Sequence, residues 1–287
     1  MPRTTDISPL ARLLDRADQA AEGAAAPAGV ATGFPTLDRM LGGGLRRGDL
    51  VVLAGDTASG KSALALAMAL RASEAGHPSH LLSAEMTPER VLERALAIEG
   101  RVRVDDLRRG ALEAAERGSV GAAALRLRDR VPGVEMLGCG GVESLADALR
   151  RALDVELAVV DSLPALATGA RDRDEELATA ARTLKALALE LDVALLVTTP
   201  LAASVAGRPD PRPRLDDLGA LGALKHHADV VLGLFREEMY QPDPGDRSLA
   251  GATELLVLKN RNGPTGYVDL YFYERWLRFE DMVDPDR

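Results

Sequence analysis

The sequence has 287 residues, of which 46% are hydrophobic and 3% aromatic, so aliphatic side chains must fill its core. The formal net charge of −9 argues against a broadly basic surface for nucleic acid, although local basic loops stay open. Cys139 is the single cysteine, which excludes an intrachain disulfide and a cysteine-based zinc site and fits a reducing compartment. The sequence opens with no apolar signal-peptide core and contains no run of about eighteen apolar residues. We therefore expect a cytoplasmic protein without membrane contact.

The first 30 residues are predicted to precede the globular domain. Ser8 is a candidate N-cap for a helix that extends to Glu22, with apolar residues at helical spacing. Gly23–Thr32 consists mostly of small residues, which is typical of a linker. We expect a linker helix and flexible linker over residues 1–30, and one domain over residues 31–287.

Apolar strands alternate with helical segments over the first two-thirds of the chain, and strands joined by short turns follow. The strands expected to be parallel are Leu50–Ala54, His80–Ser83, Val134–Leu137, Leu157–Val160, Val193–Thr198 and Val230–Phe235. The last three predicted strands are Gly251–Lys259, Gly266–Phe272 and Trp276–Phe279. This order predicts an α/β fold, with a mainly parallel twisted sheet flanked by helices and an antiparallel C-terminal extension.

A phosphate-binding loop follows the first strand, because GDTASGKS fits the pattern G-x-x-x-x-G-K-[ST]. Helix-forming residues come next, which completes the strand–loop–helix context of this pattern. Backbone N–H groups of such a loop point at phosphate oxygens, and the helix N-terminus adds partial positive charge. A glycine turn with a chance lysine is the alternative, and the context disfavours it. The predicted nucleotide-binding residues are Gly55, Asp56, Thr57, Ala58, Ser59, Gly60, Lys61 and Ser62.

Four residues carry the chemistry predicted for nucleoside triphosphate cleavage. Lys61 is expected to reach the β- and γ-phosphates, and the Ser62 hydroxyl to ligate Mg²⁺. Asp161 ends an apolar strand, where a second carboxylate would hold Mg²⁺ through water; an ordinary strand-end aspartate is the alternative. Glu85 ends the second strand and is the best candidate to orient or deprotonate the attacking water. Its structural alternative is to cap the next helix, and the two roles are compatible.

Several segments between about Thr32 and Met282 resemble the C-terminal motor domain of the DnaB-type replicative helicases, a RecA-like P-loop ATPase that works as a hexameric ring. The matching segments are TGFPTLD at Thr32–Asp38, the phosphate-binding loop, SAEM at Ser83–Met86, VVD at Val159–Asp161, RTLK at Arg182–Lys185, ADVV at Ala228–Val231, FREEMY at Phe235–Tyr240 and KNRNGPTG at Lys259–Gly266. The resemblance implies hydrolysis of ATP with Mg²⁺, a homo-hexameric or other homo-oligomeric assembly, and single-stranded DNA and replication proteins as partners. From the sequence we expect no counterpart of that family's N-terminal collar domain.

The KNRNGPTG segment is the most specific of these matches after the phosphate-binding loop. By the resemblance, Lys259 and Arg261 would reach the nucleotide bound by an adjacent subunit, with the arginine stabilising charge on the γ-phosphate. A solvated basic turn between two strands is the alternative. The RadA-type recombination ATPases share the K-N-R-x-G run and a G-G-G-L turn, but SAEM, FREEMY and GPTG favour the DnaB type.

Two segments depart from the family pattern. Pro200 stands where the family carries a glutamine that senses the γ-phosphate, and proline has neither a side-chain amide nor an N–H group. Gly219–Gly222 stands where arginine, glutamate, serine and glycine are expected, so a charge-assisted phosphate contact is lost. Arg208, Arg212 and Arg214 are expected to keep this loop locally basic, with a solvated polar loop as the alternative.

Two functions therefore stay open. The first is a DnaB-like ATP-dependent helicase or translocase motor that hydrolyses ATP at the subunit interfaces of a ring. The second is a DnaB-derived ATPase that has lost translocation and acts as a regulatory or assembly partner, which Pro200 and Gly219-Ala220 favour. A non-enzymatic binding module would leave the carboxylates idle and is the least favoured.

Two further groups of residues are assigned structural roles. His226 and His227 are adjacent and lack a nearby cysteine, so we expect no metal site there. The scattered aromatic residues are expected to be core or edge residues rather than a stacking platform for single strands, namely Tyr240, Tyr271, Tyr273 and Trp276.

Overall fold

The computed structural model describes residues 10, 11, 14, 18, 29–128, 132–137, 141–152, 154–170, 172–240 and 250–282. Cys139 and most of the predicted N-terminal linker helix lie outside these residues, so the division of the chain near residue 30 stays a prediction. Within the described ranges, no helix is both long enough and apolar enough to cross a membrane.

A nine-stranded sheet organises the described residues, with the strand order β3-β2-β4-β5-β1-β6-β7-β8-β9. The parallel strands are β1 (Leu50–Gly55), β2 (Ser79–Ser83), β3 (Gly133–Met136), β4 (Leu157–Asp161), β5 (Ala194–Pro200) and β6 (Val230–Arg236). The antiparallel strands are β7 (Ala252–Asn260), β8 (Gly266–Tyr273) and β9 (Arg278–Asp281). The predicted α/β fold, mainly parallel with an antiparallel C-terminal extension, is confirmed.

Helices cover both faces of the sheet. They are Pro35–Met40, Lys61–Glu74, Pro88–Gly100, Val104–Arg109, Ala114–Leu127, Gly141–Arg151, Arg173–Leu191 and Ala223–His227, with short 3-10 turns at Leu163–Leu166, Leu215–Leu218, Ala220–Gly222, Glu237–Met239 and Glu274–Trp276. The prediction that the last strand begins at Trp276 is wrong. Trp276 ends a 3-10 turn, Leu277 follows in the left-handed region (φ 54°), and only then does β9 begin.

The continuous apolar run of β1 is explained by its central position, because both of its faces are covered. Val51 and Leu53 pack in the core beneath the Lys61–Glu74 helix. Leu50 and Val52 pack in the second core cluster, beneath the Arg173–Leu191 helix. Burying one such side chain stabilises the fold by about 2 kcal/mol, so this run fixes β1 at the centre of the sheet.

The TGFPTLD segment (Thr32–Asp38) contacts the Lys61–Glu74 helix through a hydrogen bond. Both the N–H and the hydroxyl of Thr32 donate to Asp38 Oδ1, at 2.9 and 2.7 Å. Arg71 donates from Nη1 to the Gly33 carbonyl at 2.7 Å. Gly33 has a φ of +74°, and a Cβ there would lie 2.3 Å from Arg71 Cβ, so this position requires glycine. This matching segment therefore has a structural role.

The parallel strands define two edges of the sheet. The carboxyl edge is where β1, β2, β4 and β5 end, at Gly55, Ser83, Asp161 and Pro200. The amino edge is where β1 and β6 begin, next to Asp229. The six residues of β1 separate the two edges, which corresponds to about 20 Å at about 3.3 Å per residue.

Candidate active site

The phosphate-binding loop joins β1 to the Lys61–Glu74 helix at the carboxyl edge. Gly60 has a φ of +103°, and a Cβ there would lie 2.9 Å from Cζ of Phe279, so only glycine fits. Gly60 is also the N-cap of this 14-residue helix, which among the described residues has no side-chain cap. Since the first-turn amides of a helix have no intrahelical acceptor, they suit the oxygens of a bound phosphate.

Lys61 is folded back onto the loop. Its Nζ donates to the backbone oxygens of Gly55 at 3.0 Å and Asp56 at 2.7 Å. Burial lowers the pKa of Lys61, and the carboxylates of Asp161, Asp56 and Glu85 oppose that shift. The ammonium group is thus held where it can exchange two carbonyl oxygens for phosphate oxygens.

Ser62 and Asp161 are brought together, as the sequence predicted for a Mg²⁺ site. Ser62 Oγ donates to Asp161 Oδ1 at 3.0 Å, and Asp161 is only 5% exposed. The two groups supply hard oxygen ligands, and Mg²⁺ is commonly bound by one or two protein oxygens together with substrate phosphates and water. Within the described residues, no cluster of three or more His, Cys, Asp or Glu side chains could form a full protein cage. The residues present therefore fit a substrate-associated Mg²⁺ ion.

Glu85 lies on the same edge, immediately after β2. Its side chain is exposed, and its Oε1 accepts a hydrogen bond from Ser162 Oγ at 3.1 Å. Ser162 directly follows Asp161, so one segment positions both carboxylates. The exposed carboxylate of Glu85 lies beyond the end of β2, which is where a general base for an attacking water would be needed.

Two residues of the FREEMY segment support the phosphate-binding loop from the side. The buried Arg236 places Nη1 3.5 Å from the Ala58 carbonyl oxygen and is ion-paired with Glu238. Tyr240 donates its hydroxyl to Asp56 Oδ2 at 3.2 Å. Burial and the neighbouring Asp56 raise the pKa of Tyr240 to about 12. The sequence had suggested a core or edge residue, but Tyr240 is a contact of the loop.

The other three aromatic residues meet on the antiparallel extension. The rings of Tyr271 and Tyr273 lie 4.6 Å apart, and Tyr273 stacks on Trp276 at 5.3 Å. Tyr273 is 39% exposed. The sequence predicted edge residues without anticipating this cluster, because Trp276 reaches it from a turn.

Lys259 and Arg261 lie at the amino edge of the sheet, whereas the phosphate-binding loop lies at the carboxyl edge. Lys259 Nζ donates to the carbonyl oxygens of Lys225 at 2.7 Å and Ala228 at 2.6 Å, and so caps the short Ala223–His227 helix. Burial and the charge of Arg261 lower the pKa of Lys259. Arg261 Nε lies 2.8 Å from Asp229 Oδ1, and its side chain is 52% exposed.

This arrangement does not bring Lys259 and Arg261 to the phosphate-binding loop of their own chain. About 20 Å of β1 lies between them and Gly55. An arginine side chain cannot span that distance through the core. The two residues therefore cannot contact a nucleotide that is bound by the phosphate-binding loop of their own chain.

Pro200 lies beside the first residue of the phosphate-binding loop, since it pairs with Gly55 in the register of β5 and β1. Leu201 donates its N–H to the Gly55 carbonyl at 3.2 Å. The glycine that replaces the family arginine is also fixed by its surroundings. Gly219 has a φ of +65°, and a Cβ there would lie 2.7 Å from Cβ of Ala202. An arginine at position 219 is thus incompatible with this backbone.

The loop over residues 202–222 holds three arginines and three aspartates, which fits the alternative of a solvated polar loop better than a locally basic one. Arg208 makes a two-pronged ion pair with Asp217, at 2.9 and 2.8 Å. Arg212 makes the same kind of pair with Glu254 of β7, at 2.6 and 2.7 Å. A DNA phosphate would have to compete with these carboxylates for both arginines.

The two histidines lie at the end of the short Ala223–His227 helix. His226 is exposed and His227 is half-buried at the end of a five-residue helix. The part of the chain that the structure describes holds no group of three metal-ligating side chains around them. The His226 carbonyl lies 3.4 Å from Lys259 Nζ. The pair belongs to the structural cap of that helix.

Sequence reasoning missed Asp229, Thr198 and Ser162. Asp229 is almost fully buried and accepts hydrogen bonds from the Leu50 N–H at 2.9 Å and Lys185 Nζ at 2.6 Å, besides pairing with Arg261. The segments ADVV and RTLK had been noted as matches without a role for either charge. An aspartate at the start of a strand and a lysine on a buried helix were the available signals.

Comparison with known proteins gives a consistent result. A family model described as DnaB-like helicase C terminal domain matches residues 29–281. The replicative DNA helicase DnaB of Leifsonia xyli subsp. xyli (strain CTCB07) is 33% identical over 266 residues, covering 89% of this chain and 56% of that protein. The DnaB of Geobacillus stearothermophilus is 30% identical over 264 residues, covering 88% of this chain and 57% of that protein. The chain thus spans just over half the length of these relatives.

Solved structures show the same similarity. A DnaB-like replicative helicase, described with its interactions with primase, has a TM-score of 0.83 and 25% identity, covering 97% of this chain and 68% of that chain. A second structure, described as an ATPase domain, has a TM-score of 0.85 and 26% identity, covering 97% of this chain and all of that chain. Nothing in these comparisons favours an ATPase that has lost translocation. This chain belongs to the DnaB-like helicase C-terminal domain family.

Proposed function

We propose that this chain is the ATPase motor domain of a DnaB-like DNA helicase. In this proposal it hydrolyses ATP with Mg²⁺ at the subunit interfaces of a ring and couples hydrolysis to movement along single-stranded DNA. One observation carries the proposal. The phosphate-binding loop, Glu85 and Asp161 share the carboxyl edge, whereas Arg261 lies about 20 Å away at the amino edge. Each chain then supplies the two halves of different active sites, which calls for a head-to-tail assembly of copies that in this proposal closes into a ring.

The residues of the carboxyl edge have distinct roles. The loop amides and Lys61 bind the phosphates, with Lys61 leaving the carbonyls it now contacts. Ser62 and Asp161 would hold Mg²⁺, which when bound neutralises charge on the phosphate oxygens. Glu85, held by Ser162, orients the attacking water and accepts its proton.

The amino edge of a neighbouring copy completes the site. Arg261 is half exposed and attached to its own chain through one buried carboxylate, so it can extend toward a bound γ-phosphate. Its guanidinium group would stabilise charge that develops during cleavage. Lys259 is the second candidate, although its ammonium group already has carbonyl partners.

Single-stranded DNA and replication proteins are proposed partners. The similarity to a helicase described with primase supports the second kind of partner. Two features weaken the attraction to DNA. Arg208 and Arg212 in the loop over residues 202–222 are already paired with carboxylates. The chain as a whole has a net charge of −9. We therefore expect DNA binding to be strongest at low salt and to weaken steeply as salt rises.

The test is the ATP hydrolysis rate with and without single-stranded DNA, together with a strand-displacement assay. The wild type is expected to hydrolyse ATP faster with DNA and to displace a strand. Lys61→Ala should lose nucleotide affinity and activity together. Glu85→Gln should still bind ATP but hydrolyse it about 10²–10⁴-fold more slowly.

Two results would contradict the proposal in different places. Intact ATP binding without hydrolysis in the wild type would refute an enzymatic role. If the rate of ATP hydrolysis does not change with DNA and no DNA binds even at low salt, the helicase function is refuted and the ATPase function still stands.

A further inference from the structure

The hydroxyl group of Thr198 contacts the carboxylate of Asp161, which Ser62 of the phosphate-binding loop also contacts. Thr198 lies near the end of β5 and is fully buried. Its Oγ1 donates to Asp161 Oδ1 at 2.5 Å, and Ser62 Oγ donates to the same oxygen at 3.0 Å. Asp161 is therefore held from two sides, by β5 and by the first turn of the Lys61–Glu74 helix.

Thr198 places a polar hydroxyl group at a position where the surrounding strand is apolar and buried. Along β5 its neighbours Leu196 and Val197 are apolar and fully buried, and Thr198 pairs with Leu53 in the centre of the sheet. A valine would fill the same volume here without a polar atom. A buried hydroxyl costs free energy unless it is hydrogen-bonded, and its bond to Asp161 is charge-assisted.

The two bonds fix the orientation of Asp161. Both end on Oδ1, so contact with a metal-bound water falls to the other carboxylate oxygen. Among the hydrogen bonds that the described residues make to this carboxylate, removal of Thr198 would leave the one from Ser62, which is itself a predicted Mg²⁺ ligand. If Ser62 bound the metal instead, the hydrogen bond from Thr198 would still hold Asp161.

We propose that Thr198 is a positioning residue of the Mg²⁺ site, an inference that rests on the proposed ATPase function. It sets the orientation of Asp161 from the strand that, two residues later, reaches Pro200 beside Gly55. The last residues of β5 are thus coupled to the Mg²⁺ site through a hydroxyl group, at the place where the family's glutamine side chain is absent.

The experiment measures how much Mg²⁺ is needed for binding of a fluorescent ATP analogue, which requires no hydrolysis. Thr198→Val is expected to raise the half-saturating Mg²⁺ concentration about tenfold, with affinity for the analogue in EDTA unchanged. Thr198→Ser, which keeps the hydroxyl, should restore the wild-type requirement. Thr199→Val is the matched control, because the buried Thr199 hydroxyl contacts only the Pro200 carbonyl, at 3.2 Å, among the bonds described for it.

A double-mutant cycle separates positioning from packing. In an Asp161→Asn background, Thr198→Val should change the Mg²⁺ requirement no further, because the carboxylate that it positions is gone. An unchanged requirement in Thr198→Val, a failure of Thr198→Ser to restore it, or fully additive effects in the cycle would each overturn the proposal.

Failure of the proposed function gives a different result. A wild type that binds nucleotide in a Mg²⁺-dependent way without hydrolysing it would refute the ATPase while the positioning test still stands. A wild type that hydrolyses ATP but whose nucleotide binding does not depend on Mg²⁺ would overturn the positioning proposal and leave the ATPase.

Discussion

The two edges of the sheet hold their functional residues by different means. At the carboxyl edge, hydroxyl groups hold both carboxylates, and Lys61 rests on two backbone oxygens that a ligand can replace. At the amino edge, Lys259 caps a helix and Arg261 is paired with the buried Asp229. The first edge is arranged to receive a ligand, whereas the second has its charges satisfied and extends only one of them into solvent.

This difference separates two residues that the family motif treats alike. Lys259 is a structural cap first, since its ammonium group has short bonds to two carbonyls. The side chain of Arg261 is paired with Asp229 and half exposed, so we expect it to be able to reach a neighbouring copy. We therefore assign the role in trans to Arg261 and expect Lys259 to contribute mainly to stability.

Replacing each residue by alanine gives the largest expected effect. Arg261→Ala should lower kcat about 10³-fold or more, with ATP affinity and thermal stability close to wild type. Lys259→Ala should instead lower the free energy of unfolding by about 1–3 kcal/mol, because partly buried carbonyl groups lose their donor. ATPase assays at high protein concentration and thermal unfolding measure the two effects. Equal losses of kcat in both variants with no loss of stability would break the distinction.

Asp229 provides the next test, because it anchors the amino edge. Asp229→Asn keeps the shape of the side chain but removes the negative charge to which Lys185 and the Leu50 N–H donate. We therefore expect the free energy of unfolding to fall by about 3 kcal/mol. Urea denaturation measures it. The matched control is Asp216→Asn, which removes the exposed partner of Lys225 and should leave stability nearly unchanged. Similar losses in both variants would show that burial of Asp229 is unimportant.

The smallest effect concerns the loop contact of Tyr240. Because the pKa of Tyr240 is raised to about 12, its protonated form is favoured by the fold. Its contribution to stability is therefore fully present below about pH 10, the pKa of an unperturbed tyrosine, and is lost as the pH rises through about 12. Absorbance titration at about 295 nm of the wild type minus Tyr240→Phe isolates this phenol. A midpoint near 10 would contradict both the burial of this phenol and its contact with Asp56.

The sequence predicted the fold and the carboxyl edge well for a physical reason. The phosphate-binding loop is a contiguous motif, and Asp161 ends an apolar run, so neighbouring residues alone specify both. The sequence could not predict the hydrogen bonds of Thr198 to Asp161, of Ser162 to Glu85 and of Leu50 to Asp229. These join residues 37, 77 and 179 positions apart, and they depend on strand order and register.

The paired arginines of the loop over residues 202–222 were missed for a similar reason. The sequence shows Arg208 and Arg212 as charges in a proline-rich loop. Only the fold brings Glu254 of β7 against Arg212 and turns Asp217 back to Arg208. The expectation of a basic loop considered the arginines without the three aspartates of the same loop, and the fold shows which carboxylates pair with Arg208 and Arg212.

Mixing two inactive variants tests the central claim, that one chain supplies halves of two different active sites. Lys61→Ala lacks the carboxyl-edge half and Arg261→Ala lacks the amino-edge half, so each alone should be inactive. In an equimolar mixture that exchanges subunits, about a quarter of the interfaces would carry both intact halves, and ATP hydrolysis should return in proportion. A mixture as inactive as its parts, in oligomers shown to contain both variants, would contradict a site shared between subunits.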